Sequence, residues 1–281
     1  MAALIDFDRE YMRYAASKLK DMGDMKDAAL EKALNDTMQA WLSEKADWLG
    51  GKTPDEYFSA MDGNGLTGLM SDYCAAGMNV PEPLYRQLAA RPDSAEALKT
   101  IVSDDRMGEQ ARATALRLLC DMNADGVTDI CVRLMEDGSD LVEMAAAWLM
   151  RAGYEAAEKL LLAYDAADDA AREAILDVLC YYPGVERTAQ LLRSRLLSDH
   201  EHRAQHAAMA ARLGDPGLIE PLQRLAALSE ISYYDYKEIV NAIDSLGGDP
   251  GEERQFYGDP DYEFMRDPDV GLPEDWRTEG N

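Results

Sequence analysis

Three histidines, His200, His202 and His206, fall within seven residues of one another and are the only histidines in the chain. Imidazole is the commonest metal-ligating side chain, and on a helix His202 and His206 stand one turn apart, able to share an ion with Asp199 or Glu201 completing the set. The competing reading is that Asp199 caps the helix while His202 and His206 fill ordinary structural positions. We expect the second reading, with no cofactor and no metal, and keep His202 and His206 as the metal candidates.

Other chemistry-bearing patterns are thinner. Asp121-Met122-Asn123-Ala124-Asp125-Gly126 spells the first half of a calcium loop, but the twelfth position, where a bidentate glutamate belongs, is Val132. Two Asp-Pro-Asp triplets, 259–261 and 267–269, have chelating residue types in proline-bounded turns. No GxSxG, Walker loop, GxGxxG or HExxH occurs, and the carboxylates are too numerous to single out an acid/base pair. The sequence therefore leaves an enzyme unsupported.

These residues must be positioned by helices. Residues 199–216 are alanine-rich at helical spacing and stop at Gly214-Asp215-Pro216. Glycine supplies the left-handed backbone with which helices commonly end, and proline fits the first turn of the helix that follows. The same unit recurs. Arg112, Val142, Arg172, Arg203 and Tyr236 each lie eleven residues before a turn anchor, at Asn123, Gly153, Pro183-Gly184, Gly214 and Gly247, so the anchors are 30, 30, 31 and 33 residues apart. Between each pair runs an Ala- and Leu-rich segment: Ala115-Leu116, Ala145-Ala146, Ala174-Ile175-Leu176, Ala207-Ala208 and Ile239-Val240. A period of this size implies helix pairs that bury their apolar faces by stacking.

Arg203, Ala207 and Leu213-Gly214-Asp215-Pro216 closely resemble HEAT repeats, and most of all the short HEAT-like repeats of the phycobilisome-lyase type, over residues 105–250. The resemblance implies an all-α, right-handed α-α superhelix. It does not imply one activity, since such repeats serve adaptors, lyases and hydroxylases. The His200-Glu201 dipeptide is similar to those of HEAT-type di-iron hydroxylases, which carry several such pairs where this chain has one. In HEAT-like solenoids the second helices line the concave face. Ten residues past successive anchors stand Arg133, Ala163, Arg193 and Arg224, and Lys159, Arg187 and Arg195 lie on the same helices. That row would suit carboxylates or phosphates; the alternative is local pairing with acids such as Asp129 and Glu220, four residues before Arg133 and Arg224.

Outside the array, residues 6–22 and 24–49 read as helices with stripes of Phe7, Tyr11, Tyr14 and Leu19, and of Leu30, Leu34, Met38, Trp41, Leu42, Trp48 and Leu49. Thr53-Pro54-Asp55-Glu56 is a capping-box helix start. Trp41, Trp48, Tyr57 and Phe58 are expected to form the core of an N-terminal cap. Residues 65–77, 81–91 and 94–103 are further helices, either divergent repeats or part of the cap. The division expected is 1–104 cap and divergent pairs, 105–250 repeats, and 251–281 an acidic extension whose aromatics dock on this chain or another.

The net charge of −26 argues against nucleic acid as a general partner. It suits basic proteins or simple solubility. Cys74, Cys120, Cys131 and Cys180 lack CxxC spacing and read as buried thiols of a reducing cytoplasm. No window resembles a signal peptide or membrane span. The expected function is a non-catalytic, cytoplasmic scaffold binding a protein or peptide along its groove. The nearest candidate occupant is the chain's own tail, net −8 over residues 248–281. The alternatives are a metal-dependent enzyme using His200, His202 and His206, and a HEAT-like DNA glycosylase.

Overall fold

Every turn the sequence marks as an anchor carries a residue in the left-handed region: Asn123 (φ 47°), Gly153 (86°), Gly184 (83°), Gly214 (71°) and Gly247 (76°). Asn123 is the single non-glycine residue of positive φ among those described, and asparagine tolerates that region better than most. The first half of the apparent calcium loop thus contains a turn with Asn123 in the left-handed region. Seven to nine residues before these turn residues, the side chains of Ala115, Ala145, Ile175, Ala207 and Ile239 are fully buried at 0% exposure.

A computed structural model describes residues 4–19 and 27–266. These form sixteen α-helices and no strand beyond a single antiparallel bridge, Ala46 to Lys52. The chain divides into two compact units, Met1–Ile130 and Cys131–Asn281.

The first unit holds α1 (Phe7–Leu19), α2 (Asp27–Ser43), α3 (Pro54–Ser59), α4 (Gly63–Ala75), α5 (Glu82–Ala89), α6 (Ala95–Ser103) and α7 (Glu109–Asp121). Phe7 (2% exposed) packs against Trp41, Trp48, Tyr57 and Phe58 with ring centroids 5.2–6.2 Å apart. Of the expected aromatic core, Trp41 and Phe58 are buried around Phe7, while Tyr57 is part-buried and Trp48 is exposed. The long helix expected over 24–49 ends at Ser43. A short 3-10 turn, Asp47–Leu49, follows, closed by the Ala46–Lys52 bridge and by Gly50 and Gly51 at positive φ. In α2 the expected stripe is buried only at Trp41 and Leu42, while Leu30 and Leu34 are exposed. The capping box forms as expected: Thr53 Oγ1 accepts from Glu56 N–H and Thr53 N–H donates to Glu56 Oε2, both at 3.1 Å.

After α8 (Val127–Glu136), the second unit continues through α9 (Val142–Leu149), α10 (Tyr154–Ala166), α11 (Asp169–Leu179), α12 (Glu186–Ser198), α13 (Arg203–Leu213), α14 (Ile219–Ala226), α15 (Tyr233–Ser245) and α16 (Pro260–Arg266). Within it α9 packs on α11, α13 on α15 and α12 on α14, so helices two apart in sequence are neighbours, as well as consecutive ones.

A recurring arginine ties these helices together. In the first unit Arg112 Nε donates to the Val102 carbonyl at the end of α6, at 3.2 Å; in the second, Arg172 Nε donates to the Tyr164 carbonyl near the end of α10, at 3.1 Å. Carbonyls in the last turn of a helix lack an intrahelical partner, and these guanidiniums supply one.

The described part of the C-terminal extension docks on its own chain. Arg254 donates to the carbonyls of Ala226 and Leu228 past the end of α14, and Phe256 and Tyr262 pack on Tyr233, with Phe256 also on Tyr236, at 4.9–5.5 Å. Asp259 joins two helix starts: its Oδ2 accepts from Tyr233 N–H of α15, and its Oδ1 from Asp261 and Tyr262 N–H of α16. Trp276 and the second Asp-Pro-Asp triplet lie outside the described residues.

Candidate functional site

Between α12 and α13 the chain makes a short turn that gathers polar side chains. Asp199 Oδ1 accepts from the backbone N–H groups of Glu201 (3.0 Å) and His202 (3.3 Å), and its Oδ2 lies 3.0 Å from His202 Nδ1. Partial burial pushes the Asp199 carboxyl up, but these hydrogen bonds outweigh it and hold it below the usual carboxylate range. The same Asp199 contact raises the His202 imidazole. Asp199 thus fastens the turn that precedes α13, but it does not cap the helix as expected, because its bonds stop at His202, the N-cap position, which has no side-chain cap of its own.

His206, one turn into α13, is fully buried, and its Nε2 lies 2.8 Å from Glu173 Oε2 on α11. Glu173 Oε1 is 3.0 Å from Arg195 Nε on α12, an ion pair that does not meet hydrogen-bond geometry. Arg195 also reaches Asp169 at 3.3 Å and Tyr164. Burial lowers this guanidinium's pKa, but the Tyr164 contact and the Glu173 charge more than offset it. Ligand atoms from Glu173, Asp199 and His206 all lie within 4.8 Å of one another, and the His202 ring stands 6.3 Å from that of His206. His200 turns away, its Nδ1 2.8 Å from Arg203 Nη2. Glu201 is exposed and does not join the group.

No protein-family model and no curated protein matches this chain. Three buried atoms around the histidine turn lack a hydrogen-bond partner: His206 Nδ1, Glu173 Oε1 and Arg203 Nε. Arg203 is the third arginine standing eleven residues before an anchor. Where Arg112 and Arg172 aim Nε at a carbonyl, Arg203 spends its contact on His200.

The arginine row falls entirely within the second unit. Arg133 is exposed on α8. Lys159 on α10 pairs with Glu155 at 3.2 Å, and Arg187 on α12 holds both Asp165 oxygens, at 2.6 and 2.7 Å. Arg193 donates to the Gly217 carbonyl in the turn before α14, and Arg224 pairs with Glu220 on its own helix. Ala163 is buried. Arg193, which has no acid four residues upstream, therefore finds a backbone acceptor in the next repeat. Such exposed pairs are worth about 0–1 kcal/mol each, so a partner's carboxylate can replace them at little cost.

Glu173 is the residue that sequence reasoning missed. Its signal was the period itself: Glu173 stands 33 residues before His206, one period of the sequence, and is the only acid between residues 170 and 176. Contacts 29–35 residues apart recur nearby, from Tyr154 to Pro183, Tyr182 to Leu149 and Arg212 to Asp177. No helix among the described residues is long and apolar enough to cross a membrane.

Proposed function

We propose that this chain is a HEAT-type helical-repeat scaffold, a right-handed α-α superhelix that takes a partner protein or peptide along the face of its second helices. The observation that carries the reading is the recurrence of one local construction. A left-handed turn residue and a fully buried small or branched residue seven to nine positions before it reappear at near-constant spacing, with an arginine eleven or twelve positions before the turn residue at three of the five turns. Units built alike and packed on their nearest neighbours are the economy of a repeat protein, whose use is an extended binding surface. Arg133, Lys159, Arg187, Arg193, Arg195 and Arg224 are the cations of that surface, and the exposed ion pairs of Lys159, Arg187 and Arg224 are replaceable, in a protein of net charge −26. The four cysteines lack CxxC spacing, which suits a cytoplasmic scaffold.

Acidic peptides, including one copying residues 267–281, are the probes, with affinity read by fluorescence anisotropy on the full chain at two salt concentrations. Arg187→Glu combined with Arg193→Glu alters exposed side chains only. We expect it to weaken binding at least tenfold and to flatten the salt dependence. Unchanged affinity for every peptide tried would remove the groove from the proposal.

A further inference from the structure

The geometry points to a binding site for a first-row divalent transition-metal ion at His206, Glu173 and Asp199, with His202 as the fourth ligand. It is independent of the scaffold reading and of any catalytic role.

Three elements converge there: α11 brings Glu173, the turn after α12 brings Asp199, and α13 brings His206. Their ligand atoms lie within 4.8 Å of one another, a spacing that metal–ligand bonds of about 2.0–2.2 Å close with small side-chain movements. Proximity of acids alone would mean little on so acidic a chain. What singles out this group is His206, with 0% of its surface exposed and its Nε2 aimed at Glu173 Oε2 across 2.8 Å. That nitrogen is the ligand atom, and Nδ1 on the far side of the ring would carry the proton of the neutral imidazole.

The surroundings match what a metal site needs beyond its ligands. Arg195 holds Glu173 at Oε1, 3.0 Å away, while Oε2 faces His206, so the carboxylate is oriented from behind. Asp199 is fixed by two backbone N–H groups. His202, already 3.0 Å from Asp199 and about half-exposed, forms the solvent side and gives an ion its way in. Two imidazoles and two carboxylates favour zinc and its neighbours over magnesium or calcium, which prefer oxygen alone.

Isothermal titration of the full-length, untagged, chelator-treated protein with Zn2+, and separately with Mg2+, tests the site. We expect one Zn2+ per chain, bound at least a hundredfold tighter than Mg2+. Asp199→Asn and His202→Ala lie on the exposed turn and should keep the fold by circular dichroism while weakening Zn2+ at least tenfold. Glu173→Gln should do the same from α11. In the wild type, Zn2+ should also move the imidazole 15N resonances of His206. Absence of saturable binding, Zn2+ held no tighter than Mg2+, or affinity unchanged in both Asp199→Asn and Glu173→Gln would each overturn the proposal.

Discussion

Arg112 and Arg172 occupy the same place in their repeats, yet they differ in burial. Arg112 is 8% exposed, whereas the Arg172 side chain retains 35% of its surface. Removing the donor strands a carbonyl in both cases, but at Arg172 water can reach the vacancy. Methionine keeps most of the stem's packing while deleting the hydrogen bond. Arg112→Met should therefore lower unfolding free energy by about 1–3 kcal/mol, the cost of a buried unsatisfied group, and Arg172→Met by under about 1 kcal/mol. Urea denaturation of the two variants checks the order. An equal loss would mean that the Arg112 contact with Val102 does not act as a helix cap. Burial also shapes the thiols: it pushes Cys180 up to about 12, which leaves that sulfur protonated and inert at neutral pH.

At the scale of elements, the Asp259 carboxylate fastens the described part of the C-terminal segment. Hydrogen bonds, first among them the one from Tyr233 N–H, outweigh burial and hold its carboxyl below the ordinary 3.8. A lowered folded pKa means that docking is strengthened above 3.8 and that this strengthening is lost as pH falls through the lower value. The protection factors of the Tyr233, Asp261 and Tyr262 amides, relative to intrinsic exchange at the same pH, should thus fall below pH ~4. Asp259→Asn should give about the same loss of protection at pH 7, and protection unchanged in that variant would refute the role. Helix positions and turns were legible from 105 onward because each turn needs a left-handed residue, which restricts what can stand there. Near the N-terminus legibility failed. Nothing before Gly50-Gly51 in the sequence stops a helix as strongly as those two glycines, yet α2 ends at Ser43 because the 3-10 turn and the Ala46–Lys52 bridge take over the backbone. At the site, the histidines were visible as a cluster, while Glu173 was one acid among 54 acidic residues until the repeat placed it.

Across the whole molecule, 54 acidic residues oppose 28 lysines and arginines. Many of the cations are already committed to neighbouring acids, so the surplus negative charge is spread over surfaces with little to neutralise it. Self-repulsion of this kind favours the expanded chain and is screened once the Debye length falls from about 10 Å at 0.1 M salt to about 3 Å at 1 M. Thermal stability should rise with sodium chloride; a gain of about 1 kcal/mol would read as roughly 2–4 °C in Tm for domains of 150–250 residues. A midpoint that falls or stays level between 0.05 and about 0.5 M would show that ion pairs, which salt weakens, matter more than the surplus.

The left-handed turns have a practical corollary. A Cβ added at Gly153, Gly184, Gly214 or Gly247 would meet nothing within 4 Å, so each of these four positions is open on its side-chain side. Only backbone torsion restricts what stands there. A few flexible residues spliced beside one of them relax that torsion without disturbing the interior. The corners are therefore natural grafting points for fluorophores or epitopes, recurring every 30–33 residues along the sequence.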